Sequence, residues 1–311
     1  MAERRPGERP VTLSATDDST QDELTRALRV YQTELSTRKR LVAANPSNIQ
    51  WQRELAAVYS KIGDTLSAQG DLDGALRSYE ADAAVRERLT DSDPSNAQWQ
   101  SELAFSQGRI ADTLIAQGDL VGAIVRYQVA LAIREQIVAA EPDNLTWQRE
   151  LAVSQDDMGD ALTAQGSLAE ALEHYHAAQD IRQNLAAAGF SNTQWQRDLS
   201  LSQGRIGDNL VALGDLSGAL GKYQADLAIR QKIVDSDPDN IPAQRDLVIA
   251  YWNLGTLNIP ANSESVRANA LSIALDLAEK LQREGHLTSQ QQAWPTMIWE
   301  DLEELHRGQG P

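Results

Sequence analysis

Residues 51–76 read WQRELAAVYSKIGDTLSAQGDLDGAL, and near-copies of the phrase return at 99–120 (WQSELAFSQGRIADTLIAQGDL), 147–168 (WQRELAVSQDDMGDALTAQGSL) and 195–216 (WQRDLSLSQGRIGDNLVALGDL). Trp51, Trp99, Trp147 and Trp195 thus stand 48 residues apart. Self-similarity at such a period marks an array of stacked supersecondary units. A fifth copy opens at Ala243-Gln244-Arg245-Asp246-Leu247, with Ala for Trp, and Ala27, Leu28 and Tyr31 supply the second half of an earlier, incomplete one.

Each copy divides into two helices. In the first, Leu55, Tyr59, Ile62 and Leu66 return every three to four residues and lay one apolar stripe along a helix. Gly70 suits the left-handed backbone that closes a helix, and Asp71 offers its carboxylate to the first amides of the next. The pair recurs as Gly118-Asp119, Gly166-Ser167 and Gly214-Asp215. The second helix carries Leu72, Ala75, Leu76, Tyr79 and Val85 and stops before Asp93-Pro94, because proline removes a donor and restrains the residue before it. Ser95 or Asn96 then caps the next first helix.

One such pair leaves an apolar face bare, so successive pairs must stack on one another. The expected fold is all-α, a right-handed superhelical solenoid of antiparallel helix pairs with about five to six repeats. It is expected over residues 20–287, after a disordered segment 1–19 rich in Arg, Pro, Ser, Thr and Asp. Residues 288–311 are expected to cap the array, with Pro295 interrupting the segment ahead of Met297, Trp299, Leu302 and Leu305.

The composition narrows the function. A net charge of −17 repels phosphate backbones, so no nucleic-acid partner is expected. The absence of cysteine removes disulfides, thiolate catalysis and cysteine-ligated zinc together. The opening MAERRPGERP has no apolar core of a signal peptide or anchor, so the expected location is cytoplasmic, with no membrane contact. No phosphate-binding glycine loop, nucleophile elbow or zinc-binding helix motif occurs, so neither an enzyme nor a cofactor is expected. Asp235-Ser236-Asp237-Pro238-Asp239-Asn240 echoes a calcium loop in letters only, since a proline interrupts it and its sixth position lacks glycine.

The spacing Ile62-Gly63, Leu66, Gly70, Ala75, Tyr79 resembles the tetratricopeptide repeat, whose usual period is about 34 residues. The longer period is assigned to longer helices, the first reaching back to Trp51 and the second on through Arg86 and Leu89. The chain looks like the long-period regions of bacterial multidomain proteins, where such arrays often follow an effector domain. The resemblance implies a non-catalytic scaffold for protein–protein interaction. Two alternatives stay open: a sensor or regulatory region of, or partner to, a bacterial effector enzyme such as a protease or nucleotide hydrolase, and a self-assembling repeat protein with weak homo-oligomerisation.

The resemblance also implies where a partner sits. Asp64, Asp112, Asp160 and Asp208 fall at a position that lines the concave face of ordinary arrays of this family. Their partner is expected to be a basic or amphipathic protein or peptide. Phe105, Val153, Leu201 and Trp252 are expected to supply apolar contacts on the same face. Lys61, Arg109 and Arg205 stand three residues before their aspartates and are expected to pair with them along the helix, whereas Asp157 takes that place before Asp160. Relatives that grip a C-terminal carboxylate use Asn where this chain has Asp, which argues against that ligand. The tryptophans are expected to wedge between repeats. Arg38, Arg86, Arg134, Arg182 and Arg230 are expected to be struts to acids of following repeats such as Glu102, Glu150, Asp198 and Asp246.

Overall fold

The computed structural model describes residues 18–189 and 192–307. Most of the predicted disordered segment lies outside them; its last two residues already begin a helix. Twelve helices and no strand occur among the described residues: α1 (Asp18–Ala44), α2 (Ile49–Gln69), α3 (Leu72–Ser92), α4 (Ala97–Gln117), α5 (Leu120–Ala140), α6 (Leu145–Gln165), α7 (Leu168–Ala188), α8 (Thr193–Leu213), α9 (Leu216–Ser236), α10 (Ile241–Thr256), α11 (Glu264–Arg283) and α12 (Trp294–Arg307). They form two compact units, α1 to α6 and α7 to α12, and within each unit every helix packs on the next. This is the all-α, helix-pair solenoid the repeat implies.

The turns are built as the sequence dictates. Asn48, Asn96, Asn144, Asn192 and Asn240 each accept a backbone N–H three residues on, which satisfies one of the amides left open at a helix start. Asp71, Asp119 and Asp215 do the same for α3, α5 and α9. Between the two helices of a pair, Gly70, Gly118, Gly166 and Gly214 adopt positive φ of 83° to 91° and close the first helix.

Within a pair, the tyrosine of the second helix crosses the first where its side chain is smallest. A Cβ added at Gly63 would lie 2.5 Å from the Tyr79 ring, and one at Gly207 equally close to Tyr223. Ala111 takes the same register opposite Tyr127. Tyr79, Tyr127 and Tyr223 are all buried, alongside fully covered Ala75, Ala123 and Ala219. Only small residues let two helices approach so closely while a ring fills the space beside them.

The last pair departs from this plan. Leu271 replaces the tyrosine and lies against Gly255. Pro295 sits in the first turn of α12, where its missing N–H costs nothing, so it starts this helix rather than interrupting one. Trp294 and Ile298 join Trp252, Leu271, Ala278 and Leu281 in one core, with Met297, Leu302 and Leu305 packed on its edge. Trp299 stays exposed.

Replacing Gly63 with Val should cost about 1–3 kcal/mol in urea unfolding, because the added methyl groups must displace the Tyr79 ring. Gly63→Ala should cost less but still destabilise, since its Cβ alone meets the ring while Ala111 shows that the register can adjust to one; no loss with either variant would refute ring contact as the reason for the glycine.

Candidate functional site

Of the predicted site residues of the first unit, Asp64, Phe105 and Asp112 act on one arginine. Arg109, on α4, forms an ion pair with Asp64 of the preceding repeat and donates to the Tyr79 hydroxyl at 3.1 Å. Its guanidinium lies 5.1 Å from the centre of the Tyr79 ring and 5.6 Å from that of Phe105. Such stacking suits a planar, weakly hydrated cation. Burial lowers the Arg109 pKa, against the opposing field of Asp112. The predicted pairing along one helix is therefore corrected: Arg109 reaches back a repeat to Asp64. Lys61 likewise lies over the Tyr31 ring, 5.5 Å from its centre.

The aspartates have a structural duty. The Tyr79 hydroxyl donates to Asp64 at 2.7 Å, Tyr127 donates to Asp112, and Tyr223 donates to Asp208 at 2.7 Å. Burial, then the charge of Asp112, holds the Tyr79 and Tyr127 hydroxyls well above the ordinary phenol range, so both remain donors. Asp160 acts on Tyr127 through its charge and is itself engaged. The signal was present in the sequence: each aspartate precedes a tyrosine by 15 residues, as in Asp64 and Tyr79.

The apolar residues divide. Phe105 is 51% exposed and Val153 38%, and Leu201 is partly covered. Trp252 is a correction, because it is only 3% exposed and its indole N–H donates to Asp301 at 2.6 Å. Helix α12 packs on it, so it offers no surface to a partner. Of the tryptophan ladder, Trp195 lies flat against Gly189, and Trp147 donates to Glu141 at 2.9 Å; all four are half-buried.

Below this face runs a charged seam between successive repeats. Arg86 donates to Asp82 at 2.8 Å through Nε and to Glu102 of the next repeat at 2.7 Å. Arg134 donates to Glu150 at 2.9 Å, and Arg38 pairs with Glu54. Glu102 also accepts from Arg53 at 2.8 Å, and Ser101 donates to Glu150 at 2.6 Å. In the second unit Arg230 pairs with buried Asp226 and reaches the backbone carbonyl of Asp246, whose carboxylate is taken by Arg197. Arg182 donates to Ser202 at 2.6 Å. In the first unit the seam opens to a cleft of about 500 Å³, lined among others by Arg53, Arg86, Glu102, Phe105, Arg134 and Glu150.

This geometry has known counterparts. A family model described as tetratricopeptide repeat matches residues 55–94. Those residues, most of α2 with all of α3, are similar to a tetratricopeptide repeat. Among solved structures, BtubC (BKLC) from P. vanneervenii is 18% identical over 83% of this chain and 92% of its own, with a TM-score of 0.63. The apo form of RapI is 13% identical over 92% and 71%, with a TM-score of 0.60. A putative kinesin light chain from Podosopora anserina with nearly identical TPR-like repeats is 20% identical over 76% and 98%, with a TM-score of 0.50. These likenesses establish the fold. No curated protein matches the chain. Among the described residues, no helix is long and apolar enough to cross a membrane, and no group of three or more His, Asp or Glu could hold a metal ion.

The buried acids of the seam carry a pH signature. Burial pushes Asp226 up to about 6 despite Arg230, and raises Asp82 in the same direction. Between the unfolded value near 4 and the folded value near 6, the folded chain holds the extra proton, so this group's contribution to stability falls as pH rises. Asp226→Asn should flatten that part of the pH dependence in urea titrations between about pH 4 and 7; an unchanged slope would show that Asp226 is ionised throughout.

Proposed function

We propose that the protein is a non-catalytic scaffold that holds a basic or amphipathic segment of a partner protein against the first-helix face of α2, α4 and α6. The tetratricopeptide fold supports protein–protein interaction in general. The observation that carries the finer reading is Phe105: a large apolar ring, half in solvent, beside Asp64 and Arg109 and at the edge of the cleft. An apolar anchor rimmed by charge is the arrangement from which most interface energy comes. Asp64 keeps half of its side-chain surface exposed even while bound to Tyr79 and Arg109, so a cation on the partner can still reach it. Val153 continues the face on α6, and Leu201 with Asp208 repeats the register on α8.

The test must spare the tyrosine contacts, so Asp64→Asn is preferable to a charge reversal: the amide oxygen still accepts from Tyr79. Phe105→Ser, Asp64→Asn and the outer-helix control Val121→Ser/Val125→Ser should unfold like wild type in urea. Partners captured from native lysate are quantified by mass spectrometry, and affinity for each is then measured with the purified partner. Phe105→Ser should weaken a genuine partner by about 1 kcal/mol or more, roughly fivefold, and Asp64→Asn should weaken it less. Loss with the valine variant alone would move the site to α5, where Val121, Val125 and Val129 are exposed.

A further inference from the structure

Helix α5 differs from the other second helices on its solvent side. Val121, Val125 and Val129 stand four residues apart and are 66%, 52% and 40% exposed. At the register of Val125, helices α1, α3, α7 and α9 have Arg29, Arg77, Glu173 and Gly221, and at that of Val129 they have threonine or alanine. Valine is a weaker helix former than alanine or arginine, and the fold leaves all three in solvent, so the chain by itself gains little from them. A contiguous exposed apolar stripe marks a contact surface.

Charge and relief say what fits it. The chain carries a net charge of −17, so two copies repel one another at most approaches. This stripe is an exception, because the one charged side chain between Asp119 and Arg134 is Arg126, which reaches back to Gln107 on α4. A basic segment finds no carboxylate to bind along it for the same reason. The relief is self-complementary: the valines stand progressively less proud from Val121 to Val129, with Val125 midway. Two antiparallel copies set the most prominent valine against the least prominent one and Val125 against itself, so the surfaces meet evenly. A parallel pair would set Val121 against Val121 and leave a wedge-shaped gap at Val129, which close packing disfavours.

We propose that this stripe binds the same stripe of a second copy of the chain, the two α5 helices crossing antiparallel about a two-fold axis at Val125. The contact is isologous: Val121 of each copy meets Val129 of the other. Residues four apart form one ridge of a helix, and two such ridges interdigitate at a crossing angle of about −50°. A single crossing buries less than the about 800 Å² per partner of a standard interface, so the dimer is weak and reversible. The valines lie on a second helix and the scaffold face on first helices, so a dimer presents two such faces and gains avidity for a target that carries two segments.

Sedimentation equilibrium of the full chain from about 10 µM to about 1 mM should show reversible dimerisation. Added salt should tighten the dimer, because screening relieves the repulsion between two acidic copies while the apolar contact remains; a dimer that loosens with salt would overturn the uncharged contact. Val125→Glu puts two carboxylates at the axis and should weaken the dimer at least about tenfold. Register is read by cross-linking, since the chain has no cysteine of its own. With oxidised glutathione, Val125→Cys should form a disulfide dimer at least about tenfold faster than Val30→Cys, a comparably exposed site on α1. Val121→Cys and Val129→Cys should each link slowly alone and fast when mixed, because about 12 Å of helix separates like positions across the axis. A chain that stays monomeric at about 1 mM, or Val125→Cys linking no faster than Val30→Cys, would overturn the proposal. Val121→Cys linking as fast alone as with Val129→Cys would overturn the antiparallel register. None of these variants touches Phe105 or Asp64, so failure here is distinct from failure of the scaffold face.

Discussion

The pairs α2–α3, α4–α5 and α8–α9 each depend on a tyrosine laid across the thinnest point of its partner helix. The ring supplies the apolar bulk that the facing glycine or alanine gives up, and its hydroxyl is anchored by the aspartate one residue along from that small side chain. Burying a hydroxyl without an acceptor would cost about 1–3 kcal/mol, so ring and carboxylate are needed together. The two fix both the separation and the rotation of the helices in a pair. Stacking of the next pair then has a defined surface to act on.

Most of the architecture was legible because it is written in short-range chemistry. The αL glycines, the asparagine caps and the apolar stripes act within one or two turns of helix, and four or more copies of each remove ambiguity. Pro295 was misread because the same residue that breaks a helix interior is favoured in a first turn, and only the start at Trp294 distinguishes the two. Trp252 was misread for a different reason. It stands in the register of Ser60, Gly108, Asp156 and Gly204, the last two of them buried, and α12 adds Trp294 and Ile298 to the core around it.

The site was partly legible. Charge periodicity picked out the aspartates that accept from the tyrosines, and Phe105 lies under the arginine that pairs with Asp64. What periodicity along one helix cannot show is an interaction that jumps a repeat, so Arg109 was assigned to its own helix when it reaches back to Asp64. The arginine seam was legible in outline, since Arg86 and Arg134 do meet Glu102 and Glu150, but Arg230 takes the carbonyl rather than the carboxylate of Asp246. A neighbouring arginine of the preceding first helix had already claimed that carboxylate.

That competing contact belongs to a set: Arg53 to Glu102, Ser101 to Glu150 and Arg197 to Asp246 each span 49 residues and tie one first helix directly to the next. Each second helix packs on the next first helix through apolar side chains, as Ala83 does with Leu103 and Ile110, and the energy of such packing rises steeply with small displacements. Charge pairs in partly solvated surroundings change energy slowly with distance and weaken with added ions. The two kinds of contact between repeats therefore differ in mechanical character, the packed one stiff and the charged one soft and ion-tuned. The ionic strength of the surrounding solution sets how firmly neighbouring first helices within a unit are tied.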